Sequence, residues 1–228
     1  MTHLLKIELK KINLKKQIFS LLLMNMIVLL LSIFTSVLLA DPANEGAPAA
    51  ATMLLTTSEL SMLIIRAVLI VWQAIFIVQI IIEEYKSKTI TVLFTYPFSK
   101  RELILAKLGL IFLLTAAFSI FSIMFQSLCL FMLSHNFSLV TFSSESLWSL
   151  IIVLISNLFL GFLPLFIGMR NVSIIATIIS SLVIVVIGSN SQASPAGLLG
   201  VPAVSLFLGT VSVALLSITY RSMLRKEV

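Results

Sequence analysis

Residues 60–82 read LSMLIIRAVLIVWQAIFIVQIII and run straight into EEYKSKTITVLFTYPFSKR, residues 83–101. The first stretch holds 23 residues and one charge, Arg66; the second holds six charges in 19 residues. About 20 predominantly apolar residues in helix cross the hydrocarbon core of a bilayer. The boundary at Ile82–Glu83 is therefore where a membrane span meets water. The same alternation of long apolar runs and short charged segments recurs along the chain.

Composition agrees with that reading. Hydrophobic residues make up 60% of the 228 and charged residues 11%, with a mean hydropathy of +1.17. A water-soluble domain of this size cannot hide so much apolar surface, so the solvent is lipid. The single cysteine, Cys129, lies in an apolar run; it excludes an intrachain disulfide or a thiolate metal cluster and behaves as a small hydrophobe.

Six apolar segments are long enough to count as spans: 18–39, 60–82, 108–133, 147–168, 172–187 and 201–220. The fifth is short and the third long, which tilt or partial re-entry accommodates. The first is too long for a secretory leader, and Leu38-Leu39-Ala40 lacks a small–x–small cleavage pattern, so it stays as a span. The expected fold is thus an all-α membrane protein, one transmembrane domain over 1–228. Placing both termini inside puts 14 of the 15 Lys and Arg on the inner side, with Asp41, Glu45, Glu59 and Glu145 outside. That asymmetry sets orientation by the positive-inside rule. The net charge of +6 accordingly answers to anionic headgroups and topology, and not to nucleic acid.

Residues 1–16 place Leu5, Leu9 and Ile12 at helical spacing opposite Lys6, Lys10, Lys11 and Lys15, a pattern suited to an amphipathic helix in the inner interface. The outer segments 40–59 and 188–200 are rich in Ala, Pro, Gly and Ser and carry no recognisable chemistry.

Polar groups inside spans are expensive and serve structure or function. Arg66 sits about two turns from the outer end of its span, and snorkelling to the headgroups or pairing with Glu59 is its first expectation, contact with cargo its second. Gln73, Gln79 and Gln126 suit hydrogen bonds between helices. Asn157, Gly161 and Pro164 mark a close helix contact and a kink. Arg66, Gln73, Gln126 and Asn157 together are the side chains to examine for a substrate path.

Other classes are excluded by missing parts. No Gly-x-x-x-x-Gly-Lys-Ser/Thr occurs, so the chain cannot cradle nucleotide phosphates by the P-loop route. His-Glu-x-x-His and Gly-x-Ser-x-Gly are absent, and His3 and His135 fall on opposite sides of the membrane. No Asp or Glu lies mid-span, which counts against an ion-driven carrier and an intramembrane hydrolase.

Six spans, an interfacial N-terminal helix and the segment 83–101 together resemble the permease subunit of type-2 ABC transporters, most closely small bacterial permeases of the bacitracin and lantibiotic-immunity kind. In that family the segment commonly carries Glu, Gly-Thr, Leu, Pro and a basic residue; here these are Glu84, Thr89, Leu93, Pro97, Lys100 and Arg101. Lys88 departs from the pattern, standing where Gly is frequent. The resemblance implies a coupling helix near Ser87–Tyr96, docking into a groove on a separate ATPase subunit. Glu84, Ser87, Lys88, Thr89, Ile90, Leu93, Phe94 and Pro97 would form that joint, with Ile90, Leu93 and Phe94 entering the groove. It also implies a second permease copy or paralogue, ATP and magnesium bound by the partner and none in this chain, and residence in the bacterial cytoplasmic membrane. The expected activity is export of a hydrophobic or antimicrobial peptide. Export of an ion or small drug, or a non-transporting scaffold or sensor, are the alternatives.

Overall fold

A computed structural model of the chain describes residues 13–40, 57–87, 100–136, 147–189 and 197–225. Every element in them is helical. Long aliphatic runs in lipid leave the backbone no other way to satisfy its own polar groups. The helices are α1 (Leu14–Ala40), α2 (Thr57–Ile77), a π turn (Val78–Ile82), α3 (Glu83–Lys86), α4 (Lys100–Asn136), α5 (Leu147–Leu160), α6 (Leu163–Asn171), α7 (Ile174–Gly188), a 3-10 turn (Leu198–Gly200) and α8 (Pro202–Arg225).

Among the described residues, five helices have the length and composition to cross a membrane: 15–35, 57–86, 101–135, 147–170 and 202–224. The fifth expected span corresponds to α7, apolar but only 15 residues long. At 1.5 Å per residue it reaches roughly 22 Å, short of a core of roughly 30 Å. The third expected span begins earlier than its apolar run: α4 starts at Lys100 and has 37 residues. Its first two turns, carrying Lys100, Arg101, Glu102 and Lys107, extend the helix beyond the segment that hydropathy alone picks out. The expected interfacial helix lies mostly outside the described residues; Lys15 and Lys16 belong to the first turn of α1.

The bundle is organised around the continuous helix 57–86, which packs against α1, α4, α5 and α7. The main core lies along its C-terminal half, where Phe76, Ile77 and Ile82 are fully covered and meet Leu110, Ile111 and Leu165. Phe76 and Trp72 both set their rings edge-on against Phe118 of α4, at centroid distances of 5.6 and 6.3 Å. α8 lies at the periphery, packed mainly on α5 and α6.

The fourth span breaks as its Gly and Pro foretell. Gly161 and Phe162 form a turn, and Pro164 sits in the first turn of α6, where its missing N–H leaves no bond unmade. A Cβ on Gly161 would lie 2.1 Å from Gln73 Oε1, so glycine is what lets the Gln73 side chain sit against the break in this rotamer. Beyond α6 the chain reverses through Val172, in the left-handed region at φ 46°, and Ser173 caps α7 by accepting a bond from the Ala176 N–H at 3.3 Å. The α6–α7 hairpin closes where a Cβ on Gly168 would lie 2.0 Å from Thr177 Oγ1 and 2.7 Å from Ile82 Cδ1.

Candidate functional site

Three of the four polar residues singled out within the spans converge on one cavity. It lies between α2, α4 and α5, has a volume of about 30 Å³, and is lined by Arg66, Gln73, Ser119 and Asn157 among aliphatic neighbours such as Ile65, Leu69 and Leu154. That volume holds about two waters. Arg66 is only 9% exposed and is enclosed between helices, so it does not lie along the outer surface as snorkelling to headgroups would have it. Gln73 is 2% exposed, and its Nε2 donates to the Leu158 carbonyl at 3.0 Å, stitching α2 to α5 just before the break at Gly161. Asn157 is the unusual member. Both amide atoms are buried, and neither finds a hydrogen-bonding partner among the described residues. Buried polar groups of this kind normally have partners, and an orphan pair calls for a water, a ligand or a conformational role.

Gln126 belongs elsewhere. Its Nε2 donates to the Asn25 carbonyl at 2.7 Å, while Asn25 Nδ2 donates to the Leu21 carbonyl at 2.9 Å and to Ser122 Oγ at 3.0 Å. This network ties α1 to α4 and is interhelical glue. Asn25, 2% exposed, is a residue the sequence reading passed over; an Asn alone in the aliphatic run of α1 was the available signal. Gln79, also expected to be glue, is instead exposed on the surface of its helix.

The helix 57–86 leads from this cavity to the base of the charged segment. It stays unbroken but takes one π turn at Val78–Ile82, where the Glu83 N–H reaches back five residues to the Val78 carbonyl. Ser87 closes the helix with its Oγ donating to the Glu83 carbonyl at 2.7 Å. Glu84, expected to face a partner or the interfacial helix, is engaged within the chain. Its carboxylate accepts from Lys107 Nζ of α4, which also donates to the Ile80 carbonyl at 3.3 Å. Lys88, Thr89, Ile90, Leu93, Phe94 and Pro97 lie outside the described residues, and so does nearly all of the expected docking helix. Among the described residues, no group of His, Cys, Asp and Glu could hold a metal ion.

Several long apolar helices packed together, with a small cavity holding a few polar side chains among them, define a polytopic membrane protein. The chain belongs to the ABC-2 family of transporter proteins, whose sequence profile matches residues 4–188. It is therefore a transport component of an ABC transporter and not its catalytic subunit, and membership implies an ATPase partner. It is 32% identical over 205 residues to the uncharacterized protein YcbO of Bacillus subtilis (strain 168), covering 83% of this chain and 84% of that relative. No solved structure gives a significant match.

Proposed function

We propose that this chain is the permease of an ATP-driven exporter in a bacterial cytoplasmic membrane, with both termini inside and a separate ATPase subunit docked on residues 87–96. One observation carries the reading: the helix 57–86 is the hub of the bundle and joins the cavity at Arg66, Gln73 and Asn157 to the base of the charged segment at Ser87. The 21 residues between Arg66 and Ser87 span roughly 32 Å. A stiff element of that length turns a push at the loop into movement at the cavity.

A hydrophobic or antimicrobial peptide is the proposed cargo, because the spans offer aliphatic and aromatic surface with almost no charge. A cavity for about two waters does not hold a peptide, so the path would run between this chain and a second permease, with Arg66 and Asn157 meeting a polar group of the cargo at its wall. Within the second reading, export of an ion or small drug, the same small size favours the ion, which could pass through the cavity itself.

Co-expression with the partner ATPase tests the docking. Leu93→Asp puts a charge into the proposed groove contact and is expected to abolish co-purification. An intact complex sinks the docking helix. Cells carrying Asn157→Leu then separate the cargoes: loss of protection against peptides supports the first reading, and loss confined to ions or small drugs supports the second.

A further inference from the structure

Lys107 carries a role that membership of the family does not supply. It lies in α4, two turns inside the helix, and is 2% exposed, whereas Lys15, Lys16 and Lys86 are exposed. A cation taken out of water so completely needs both an opposite charge and further acceptors. It has them: the Glu84 carboxylate and the Ile80 carbonyl, both on the helix 57–86. Ile80 is the middle residue of the π turn, where one extra residue disturbs the regular i→i+4 ladder and a side chain from outside can enter it. Glu84 and Lys107 are 23 positions apart and flank the charged segment, three residues before Ser87 and seven after Lys100. The hairpin α6–α7 abuts the same turn, since α7 packs against it and a Cβ on Gly168 would lie 2.7 Å from Ile82 Cδ1.

We propose that Lys107, Glu84 and the Ile80 carbonyl form a buried clamp that joins the two helices at the base of the 88–99 segment, making Lys107 a positioning residue for energy coupling. Without it, a force on the segment would splay the two helix ends. With it, both helices and the α6–α7 hairpin move as one body. The π turn gives that body a defined place to yield, and Lys107 holds it there at the Ile80 carbonyl. The clamp's mechanical role rests on the docking proposed above; its existence as a rigid base does not.

Hydrogen exchange on the full-length chain in nanodiscs tests the base directly. Lys107→Met, which keeps the length of the side chain and removes its charge and donors, is expected to speed exchange at residues 83–87 and 100–107 by at least about tenfold. Lys107→Arg keeps charge and donors and is expected to stay within about twofold of wild type. Glu84→Gln, a milder change that preserves shape, should fall between them. Equal exchange in all four proteins overturns the clamp. The coupling is tested in the complex with the ATPase, comparing exchange in 147–171 with and without ATP–vanadate. The wild type and Lys107→Arg are expected to show a nucleotide-dependent difference, and Lys107→Met to lose it while still retaining the ATPase. A difference that survives Lys107→Met, or is absent from the wild type, overturns the coupling role. Failure of the wild type to retain any ATPase instead sinks the docking proposal and leaves the clamp to be judged by the nanodisc result.

Discussion

Gly161→Ala is the most incisive substitution the structure offers, because its effect passes through a single side chain. The added methyl would stand 2.1 Å from Gln73 Oε1, 2.5 Å from its Cδ and 3.2 Å from its Nε2. These atoms form the far end of a flexible side chain, so Gln73 would turn aside, and the backbone would not move. Turning aside breaks its bond to the Leu158 carbonyl, worth about 1 kcal/mol between helices in a membrane. Gln73 then enters the cavity beside Arg66 and Asn157, where the new rotamer adds an order of 0.5–1 kcal/mol. The expected loss is about 1–2 kcal/mol, or a fall in Tm of about 2–8 °C for a chain of this size. Thermal unfolding in detergent measures it. Gln73→Ala alone should also be destabilising, through the same lost bond. In the double variant the collision is gone, so its loss should fall short of the sum of the two single losses by about 1 kcal/mol. An additive double variant, or a Gly161→Ala protein that melts with the wild type, would refute the close approach of α2 to the break in the fourth span.

Gly168→Ala should be more damaging than Gly161→Ala, by about 1–3 kcal/mol, because the methyl meets Thr177, which is fully buried, β-branched and bonded through Oγ1 to the Ser173 carbonyl. The order of the two melting temperatures checks this. Ser173→Ala removes the cap of α7 and is expected to cost about 1 kcal/mol, read from the same melting curves; no change would mean the cap contributes nothing. Asn157→Leu removes two buried amide atoms that have no partner among the described residues, so it should raise stability by about 1 kcal/mol while reducing export. A destabilised Asn157→Leu protein would show that bound water already satisfies the amide.

The sequence made the apolar helices legible because their signal is local and long. Glycine and proline likewise marked the break in the fourth span at Gly161 and Pro164, since each acts on the backbone at its own position. What stayed hidden depends on partners distant in sequence. Gln73 and Asn157 were visible as polar residues, but not their meeting with Arg66 across two helices. Gln126 looked equivalent to them and is not, because its partner, Asn25, sits 101 positions away. Counting charges put Lys107 with the basic cluster of the cytoplasmic side, where a lysine normally keeps its head in water. The π turn left no trace at all: in Val78-Gln79-Ile80-Ile81-Ile82 one residue more or less leaves the apolar pattern unchanged.

That last point bears on how the molecule works. A π turn rotates everything beyond it by one residue relative to a regular α-helix, which decides the face on which Glu84 emerges. With the ladder regular, Glu84 would be rotated by roughly 100° away from α4, and Lys107 would be left buried without its carboxylate. The extra residue in the ladder and the buried ion pair therefore stabilise one another: the turn presents Glu84, and Lys107 holds the turn through the Ile80 carbonyl. Two interactions that support each other in this way form or break together. Mutual support of this kind makes the turn and the ion pair cooperative, the property that the relay proposed between residues 87–96 and a cavity about 30 Å distant would draw on.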